Sequence, residues 1–390
     1  MKIKNFIFII GVIFTHACTS PESSICEFDP RIFKGKEFTL SEIADDITYV
    51  PLDNAFPLHR IVQTIFTRDA IYLNSVNIGI LRYGRNGSFI NKIGSIGRGP
   101  GEYIFYMFFC VDDKSGKVYN ISDGSGRIQV FSKNGDLIGS FLAKDYGTSI
   151  SNILFYNSDL FIQCAIEWED ANYEWMIYDT LGNLVKKQKR HLPNFYNNSS
   201  GAGNPYKFKN KLSYYNSWTD TIFSISPDLA EFPSIILSPG EHRFPRSYVP
   251  MEDIAQKKYF ILSKIFETER FLVIKYYYRK YSLALIDKKN RETFLDHYEW
   301  NEGLNGLPVS GVINDLDGGS WFLPDNYFTE DGNEYMIGLQ YPYQIISRVA
   351  SHEFKNSAPK YPEKKKELEK LANNLKETDN PVLVLVRLKK

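Results

Sequence analysis

A hairpin-like turn recurs along this chain at an almost constant interval. Each copy has an aromatic or aliphatic residue, a few turn-forming residues that include glycine in the clearest cases, and then a second extended run. Asn-Gly and Leu-Gly between such runs favour a hairpin, because glycine accepts the positive φ of the turn. The copies begin 48, 47, 47 and 61 residues apart, at Tyr83, Phe131, Tyr178, Ile225 and Ile286. A period near 47 residues with several short strands per unit is typical of β-propeller blades.

Five copies leave the rest of the chain for a sixth blade. Residues 308–314 and 319–323 are predicted to be strands of that blade, and residues 381–388 form a strong strand at the C-terminus. A matching strand near the N-terminus is 47–52. A circular array of sheets exposes strand edges unless its two ends pair. We therefore predict an all-β fold, a six-bladed β-propeller in which one blade is closed by the N- and C-terminal strands.

Two segments interrupt the repeat. The longest interval requires an insertion, which we place at 238–258, where proline, charged and aromatic residues are frequent. Residues from about 360–377 are charged and helix-like, with a thin apolar face of leucines. The predicted organisation is a polar tether at 18–39, followed by a single propeller over 40–390 that contains the insertion and the C-terminal helix.

The N-terminus has the features of an export signal. A short basic stretch precedes an apolar run, residues 6–14, that is too short to span a bilayer. Ala17 stands directly before Cys18, as the small residue does in a bacterial lipobox, although the usual leucine is replaced by Thr15. We predict a lipoprotein-type signal peptide at 1–17 and lipidation of Cys18. An ordinary cleaved signal is the alternative, and both place the protein outside the cytoplasm.

The remaining cysteines do not predict a disulfide framework. Cys26, Cys110 and Cys164 are left once Cys18 is set aside, and three is an odd number. Cys110 and Cys164 lie in apolar strand-like runs, which favours buried thiols.

The net charge of the chain argues against a nucleic-acid partner. The chain has 46 Lys and Arg against 46 Asp and Glu, a formal net charge of zero. Nucleic-acid-binding proteins normally show a basic excess, so no nucleic-acid partner is expected.

One stretch resembles a known repeat. Residues 97–103, with the sequence Gly-Arg-Gly-Pro-Gly-Glu-Tyr, look like part of an NHL-type repeat together with the strand at Tyr119 and the run 127–131. With the opening at 47–52 and the ending at 380–382, the chain is similar to the six-bladed β-propeller lipoproteins of bacteria. The resemblance implies the fold and an address at the outer membrane or cell surface, with the periplasmic face as the alternative. It implies no catalytic residues.

Candidate ligand-binding residues lie in two loops. Arg98, Glu102 and Tyr103 belong to the glycine-rich crossing between blades, and such crossings line one face of a propeller. The alternative is that Arg98 and Glu102 satisfy backbone groups of the loop or pair with each other. Trp168 belongs to an aromatic and acidic loop, 167–170, of a kind that suits carbohydrate or peptide recognition.

Several aspartates could supply oxygen ligands for a hard cation. They are Asp112, Asp113, Asp123, Asp315, Asp317 and Asp325. The alternative is that they cap turns, since aspartate side chains bond to nearby backbone. No cofactor is predicted, and a calcium-like divalent cation is the metal that this pattern would suit.

The leading functional hypothesis is binding. In this hypothesis the protein is an exported, membrane-anchored propeller that recognises a glycan, a peptide or a protein partner at the cell envelope. One alternative is a metal-dependent hydrolase or lyase with carboxylates at the central channel, and another is a structural subunit of an envelope complex. The chain has no GxSxG motif and no zinc-spaced Cys/His cluster. Unpaired carboxylates converging on the channel mouth would favour the enzyme, and an aromatic-lined face would favour binding.

Overall fold

Six small antiparallel sheets surround a central channel in the computed structural model of the protein. The structure describes residues 26–29, 34–99, 101–103, 108–121, 126–143, 150–167, 171–197, 203–250, 252–253, 259–301 and 307–390. Each sheet packs both of its faces against neighbouring sheets, so the middle strands are apolar on both sides, as in β4, Ala70–Ser75, which is buried throughout. The predicted six-bladed β-propeller is confirmed.

Strands are numbered along the chain. Two precede the first blade, β1 (Cys26–Phe28) and β2 (Ala44–Pro51). Blade 1 has β3 (Ile61–Phe66), β4, β5 (Gly79–Gly84) and β6 (Phe89–Ile93). The crossing to blade 2 has a parallel pair, β7 (Ser95–Ile96) and β8 (Glu102–Tyr103). Blade 2 has β9 (Phe108–Val111), β10 (Val118–Ile121), β11 (Arg127–Phe131) and β12 (Leu137–Leu142).

The next three blades follow the same order. Blade 3 has β13 (Ile150–Tyr156), β14 (Asp159–Cys164), β15 (Tyr173–Tyr178) and β16 (Leu184–Lys189). Blade 4 has β17 (Tyr206–Phe208), β18 (Lys211–Tyr214), β19 (Thr221–Ile225) and β20 (Glu231–Leu237). Blade 5 has β21 (Ile261–Glu267), β22 (Phe271–Tyr278), β23 (Lys280–Asp287) and β24 (Thr293–Tyr298), followed by a small pair, β25 (Trp300–Asn301) and β26 (Leu307–Pro308).

Blade 6 closes the ring with strands from both ends of the chain. Its order is β2, β29 (Val382–Leu388), β28 (Asn333–Gln340) and β27 (Asn326–Glu330). β2 and β29 are antiparallel, with Thr48 opposite Leu385. The predicted closure by N- and C-terminal strands is therefore confirmed, and it leaves β29 as a central, buried strand.

The first two strands of blade 6 do not lie where the sequence suggests. The prediction of strands at 308–314 and 319–323 is wrong, because these segments share a single bridge between Val312 and Phe322. The intervening turn is fixed by side chains instead. Asp317 accepts a hydrogen bond from the Gly319 N–H at 2.8 Å. Such side chain-to-backbone bonds compete with a sheet ladder.

Four helices have both ends within the described part of the chain. They are α1 (Leu40–Ile43), α2 (Pro342–Ala350), α3 (His352–Asn356) and α4 (Pro362–Asn374). The last three lie between β28 and β29, and α4 occupies the segment for which the sequence predicts a helix at about 360–377. Its Leu368 is buried in an apolar cluster with Ile345 and Phe354, which fastens the helices to one another.

The N-terminal stretch predicted as a tether at 18–39 is partly attached to the propeller. β1 pairs in parallel with β20, the outermost strand of blade 4. Lys36 and Thr39 form further bridges to Phe294 and Ile313. The edge of β20 offers unpaired backbone groups, and the extended N-terminal segment satisfies them.

The predicted insertion at 238–258 packs against blade 4 where the structure describes it. A single 3₁₀ turn spans Gly240–His242. The Arg243 guanidinium pairs with Asp220, with Nε 2.7 Å from Oδ1. Phe244 packs on the fully buried Trp218 at a ring distance of 5.2 Å. Residues 251 and 254–258 lie outside the described part of the chain.

The repeated turn explains the regular spacing of the blades. In blades 1, 2 and 3 the turn residue with positive φ is Gly87, Gly135 or Gly182, with φ of 85°, 98° and 90°. In blades 4 and 5 the corresponding residue is Leu229 or Arg291, with φ of 64° and 62°. These last two turns keep the conformation without glycine, which is why the sequence repeat weakens there.

Each turn glycine also presses against the outermost strand of the preceding blade. A Cβ atom on Gly87 would lie 2.0 Å from the carbonyl oxygen of Pro51 in β2. A Cβ atom on Gly135 would lie 2.1 Å from the carbonyl oxygen of Lys92 in β6. Glycine is needed here for space as well as for φ.

Substitution of Gly135 tests this close approach. Gly135→Ala should destabilise the protein more than Gly332→Ala, because Gly332 also has a positive φ of 71° but a Cβ atom there would meet no other atom within 4 Å. The φ cost shared by both is about 1–2 kcal/mol. Gly139→Ala, with open space and no positive φ, is the second control. Urea denaturation measures the free energy of unfolding, and equal losses for Gly135→Ala and Gly332→Ala would contradict the interpretation.

Candidate functional site

The innermost strands of all six blades line the central channel. The cavity has a volume of about 660 Å³, and β3, β9, β13, β17, β21 and β27 each contribute lining residues. This volume falls in the range of roughly 300–1,000 Å³ that is usual for small-molecule sites. Because the first strand of each blade lines the channel, the fourth strand lies at the outer rim.

Stacked aromatic pairs surround the channel. Phe66 stacks on Phe328 with ring centroids 4.8 Å apart and planes within 9°. Tyr327 stacks on Phe266 at 5.3 Å. A third lining residue, Phe155, stacks on a tyrosine of blade 2 at 5.8 Å. Phe66, Phe155 and Tyr327 are half-buried and line the cavity, so each supported ring keeps part of its surface open to the lumen.

A charged group of three residues joins blades 5 and 6. Lys264 and Lys275 lie directly opposite each other on β21 and β22. Like charges in that position repel. Asp325, which immediately precedes β27, compensates them, with its carboxylate 3.2 Å from the Lys264 Nζ and 3.5 Å from the Lys275 Nζ. No sequence pattern singles out the two lysines, because their pairing depends on strand register.

Asp325 and Lys264 both line the lumen, and Asp325 is the more exposed of the two. Its side chain is 60% exposed, whereas Lys275 is 9% exposed. Burial within the ring raises the pKa of Asp325, but the charges of Lys264 and Lys275 outweigh burial and hold its pKa far below the usual range. Burial lowers the pKa of Lys275, although Asp325 partly offsets this effect. The lumen therefore contains an ionised carboxylate fixed by two ammonium groups.

Amide side chains fasten neighbouring blades near the same end of the channel. The Gln63 Nε2 donates a hydrogen bond to the Phe109 carbonyl at 2.9 Å. The Asn326 Nδ2 donates to a carbonyl of β3 at 2.8 Å. The Asn152 Nδ2 donates to the Asn204 Oδ1 at 3.2 Å. These bonds fix the lining residues in place, so the polar part of the cavity is preorganised.

Other carboxylates of the channel also have partners. Glu330 lies 3.1 Å from the Arg85 guanidinium, which in turn lies over the rings of Phe66 and Phe328. The Asp113 carboxylate accepts a hydrogen bond from the backbone N–H of Arg68 at 2.9 Å. Of the carboxylates that line the described channel, Asp113, Asp325 and Glu330 are thus paired, and the same lining contains stacked aromatic rings.

The aspartates considered as metal ligands are spread over separate turns. Asp112 accepts a hydrogen bond from the N–H of its own turn at 3.0 Å. Asp315 accepts one from the Ser41 N–H at 2.8 Å, and Asp317 one from the Gly319 N–H at 2.8 Å. Asp123 lies outside the described residues. Among the residues that the structure describes, no group of three or more His, Cys, Asp and Glu side chains is placed to hold a metal ion.

The glycine-rich crossing is held by its own side chains. The Glu102 Oε2 accepts a hydrogen bond from the Gly99 N–H at 2.6 Å, and it would lie 2.0 Å from a Cβ atom on Gly97. Glu102 therefore satisfies loop backbone, which is the alternative that the sequence offered. Arg98 is exposed on the same loop. Ligand binding by Arg98 and Glu102 stays a prediction.

Tyr103 anchors the crossing to blade 1. Its side chain is 1% exposed, and its hydroxyl accepts a hydrogen bond from the Ile80 N–H at 2.9 Å and donates one to the Ile93 carbonyl at 3.0 Å. Burial raises its pKa to about 12. A ligand could reach this ring only after the crossing moved. Trp168 and Cys18, the other two predicted site residues, lie outside the described part of the chain.

The two cysteines in apolar runs are free and buried, as predicted. Cys110 and Cys164 form no disulfide, and burial raises the pKa of both thiols. Both thiols are therefore protonated and unreactive at neutral pH.

A second polar cluster lies between blades 3 and 4. Glu231 accepts hydrogen bonds from the Trp175 Nε1 at 2.6 Å and from the Tyr214 hydroxyl at 2.5 Å. The His191 Nε2 lies 2.8 Å from its other oxygen, and the imidazole stacks on the Phe223 ring at 4.4 Å. These five residues come from five different strands or connections, so no single stretch of sequence predicts the cluster.

A buried carboxylate supports the same histidine from its other side. Glu174 is 2% exposed and accepts hydrogen bonds from the His191 backbone N–H at 3.2 Å and from the Asn216 Nδ2 at 3.1 Å. Burial raises the pKa of Glu174. The hydrogen bond to Glu231 raises the pKa of His191 despite its partial burial. Burial raises the pKa of Glu231, but its three hydrogen bonds outweigh burial and leave that pKa lowered.

The His191 pair should give the protein a pH-dependent stability. Because the pKa of His191 is raised on folding, its contribution is fully present below the unfolded pKa of about 6.5 and is lost as the pH rises through the folded pKa. We expect the difference in unfolding free energy between the wild type and His191→Gln to be larger at about pH 6 than at about pH 9. Urea denaturation at both pH values measures it.

The exposed His59 provides the control for that comparison. His59→Gln should differ from the wild type by the same amount at both pH values. A His191→Gln difference that does not change with pH would show that the histidine contributes through packing alone.

The chain is similar to solved structures that differ widely from it in sequence. A Bacteroides fragilis protein described as exported matches over 94% of this chain and 100% of its own, with a TM-score of 0.69 and 17% identity. A DUF4221 family member from Bacteroides vulgatus covers 89% and 97%, with a TM-score of 0.48 and 10% identity. A virginiamycin B lyase from Staphylococcus aureus covers 86% and 82%, with a TM-score of 0.43 and 10% identity.

Sequence comparison gives a family but no established activity. No curated protein matches the chain. None of the described helices is long and apolar enough to cross a membrane. One family model, a domain of unknown function, matches residues 24–387, which is nearly the whole propeller together with β1. The chain belongs to the DUF4934 family.

Proposed function

We propose that this protein is an exported, lipid-anchored propeller that binds a carbohydrate in its central channel. The observation that carries the proposal is the combination of half-buried aromatic rings with an ionised, immobilised carboxylate in one cavity of about 660 Å³. The resemblance of residues 97–131 to an NHL-type repeat is part of the same proposal and supports the fold rather than the ligand.

The chemistry of the lumen suits a hydroxyl-rich ligand. A carboxylate is an acceptor with two oxygens, so Asp325 can receive hydrogen bonds from adjacent hydroxyl groups. Asn152 and Gln63 add amide groups to the lining. The exposed parts of the Phe66 and Tyr327 rings offer apolar surface against which the C–H face of a sugar ring can pack. A short oligosaccharide has both hydroxyl groups and an apolar C–H face, whereas a wholly apolar ligand has no hydroxyl groups.

Asp325 gives the site an acceptor for hydroxyl groups. Its side chain is more exposed than those of Lys264 and Lys275, so a ligand can reach the carboxylate. Hydroxyl groups or an amine can donate hydrogen bonds to it. Peptide and protein partners remain the alternatives from the sequence, and the experiment below includes peptides.

Binding can be measured by isothermal titration calorimetry on the soluble form that starts after Cys18. The ligands are a panel of neutral oligosaccharides, acidic oligosaccharides and short peptides. Asp325→Asn should weaken binding of a neutral oligosaccharide at least tenfold, about 1.4 kcal/mol, because the amide replaces one acceptor and loses the charge. Phe66→Leu should weaken it several-fold, because the planar face is lost while the apolar volume is kept.

Matched changes outside the channel separate binding from folding. Asp69→Asn alters an exposed turn, and Phe141→Leu alters a ring on β12 at the rim. Both should bind as the wild type does, and circular dichroism should show all four variants folded. Wild-type binding by Asp325→Asn, or binding of peptides in place of sugars, would overturn the carbohydrate assignment.

The proposed lipid anchor at Cys18 can be tested separately from ligand binding. We propose that Cys18 is acylated after removal of residues 1–17, as the small residue before the cysteine and the short apolar run indicate. Cys18→Ser should move the full-length protein from the detergent phase to the aqueous phase in a phase-separation assay on expressing bacteria. Cys26→Ser is the control and should stay in the detergent phase. Retention of Cys18→Ser in the detergent phase would exclude this cysteine as the anchor.

A further inference from the structure

Charge is distributed unevenly around the outer rim of the ring. β16, the outermost strand of blade 3, contains Lys186, Lys187 and Lys189, which are all exposed, and it contains no acidic residue. On the opposite side, β2 of blade 6 contains Asp45 and Asp46. Asp179 and Asp228 lie in adjoining turns, and the three lysines of β16 outnumber them.

Exposed apolar side chains accompany these lysines. Leu181 is 80% exposed in the turn that leads into β16, and Val185 on β16 is 48% exposed. A leucine that protrudes from a turn beside lysines is an arrangement typical of surfaces that sit in the headgroup region of a bilayer. We call Leu181, Val185, Lys186, Lys187 and Lys189 the basic rim.

The N-terminal segment is attached beside the basic rim. β1 pairs with β20, the outermost strand of blade 4, which is the next blade in the ring. The Lys186 Nζ donates a hydrogen bond to the Leu229 carbonyl, at 2.6 Å, in the turn that leads into β20. The strand that receives the N-terminus therefore lies next to β16.

The segment between Cys18 and the start of β1 is short. Cys18 stands eight residues before Cys26, where β1 begins. Eight residues span at most about 28 Å when fully extended. An acyl chain on Cys18 would hold the outer edge of blade 4 within that distance of the bilayer, so the edge near the basic rim is the part of the ring closest to the membrane.

We propose that the basic rim docks on an anionic lipid bilayer. The proposal rests in part on the proposed lipidation of Cys18, which supplies the first membrane attachment. A basic patch adds electrostatic attraction to anionic lipids to the attachment that the acyl group supplies. Lys186, Lys187 and Lys189 interact with anionic headgroups, while Leu181 and Val185 enter the headgroup region.

Docking through the basic rim determines the orientation of the propeller relative to the bilayer. The basic rim lies on the outer circumference of the ring. The channel axis runs perpendicular to the plane of the ring. A propeller that rests on its rim therefore holds the channel parallel to the bilayer. Both channel openings then face the surrounding solution, and the membrane obstructs neither of them.

Vesicle sedimentation tests the docking without the lipid anchor. The soluble form that starts after Cys18 is mixed with vesicles of phosphatidylcholine alone or with an anionic phosphatidylglycerol fraction. We expect binding to the anionic vesicles only, with loss of binding in high salt. Replacing the three lysines of β16 by glutamine should weaken binding at least about tenfold, since each lysine near an anionic surface contributes.

A matched control removes the same charge from the far side of the ring. It replaces three exposed lysines of α4 and the segment after it, Lys366, Lys370 and Lys376. This control should bind vesicles as the wild type does. Leu181→Asp should weaken vesicle binding, whereas Ile313→Asp, at a residue that is 66% exposed elsewhere, should not.

The outcomes distinguish this proposal from the proposed function. Equal binding by the two triple variants, or equal binding to neutral and anionic vesicles, would overturn the docking. Binding of soluble dextran sulfate without binding of anionic vesicles would also overturn it, because the rim would then recognise a polyanion and not a bilayer. Oligosaccharide titration of the β16 triple variant should be unchanged, so failure of the docking leaves carbohydrate binding in the channel untouched.

Discussion

The close approach between a turn of one blade and the rim strand of the preceding blade determines how the ring is assembled. Gly87 and Gly135 leave no space for a side chain, and their carbonyls accept hydrogen bonds from Asp53 and Gly94 of the preceding blade at 2.9 and 3.1 Å. The same turns that reverse the chain within a blade thus fix the distance to its neighbour. Leu229 and Arg291 adopt the turn without glycine, so the later blades depend more on side chain packing.

The sequence predicts features that depend on local periodicity and fails where partners come from distant segments. The turn glycines and the pairing of the two chain ends are visible because they combine a short motif with a requirement for closure. The first strands of blade 6 are missed although Asp331-Gly332 is a hairpin signal between them, because residues 308–323 also have strand-like composition and compete for the assignment. Asp325 is visible as a carboxylate, but its partners Lys264 and Lys275 depend on a register that one chain segment does not encode.

The candidate site owes its rigidity to contacts between blades. Asp325 joins blade 6 to the lysines of blade 5, and Gln63 joins blade 1 to blade 2 through the Phe109 backbone. These lining groups are held by a neighbouring sheet, so this part of the lumen is preorganised. A preorganised site loses less conformational entropy on binding, which favours measurable affinity even for a small ligand.

The position of β29 has a consequence for biosynthesis. It occupies the middle of blade 6, between β2 and β28, yet it is made from residues 382–388, which are synthesised after all the other strands. Five blades therefore exist during translation without the strand that joins the first part of the chain to the last. Contacts between such distant segments form slowly, because a long loop must close first. The ring consequently cannot close until this strand has been made.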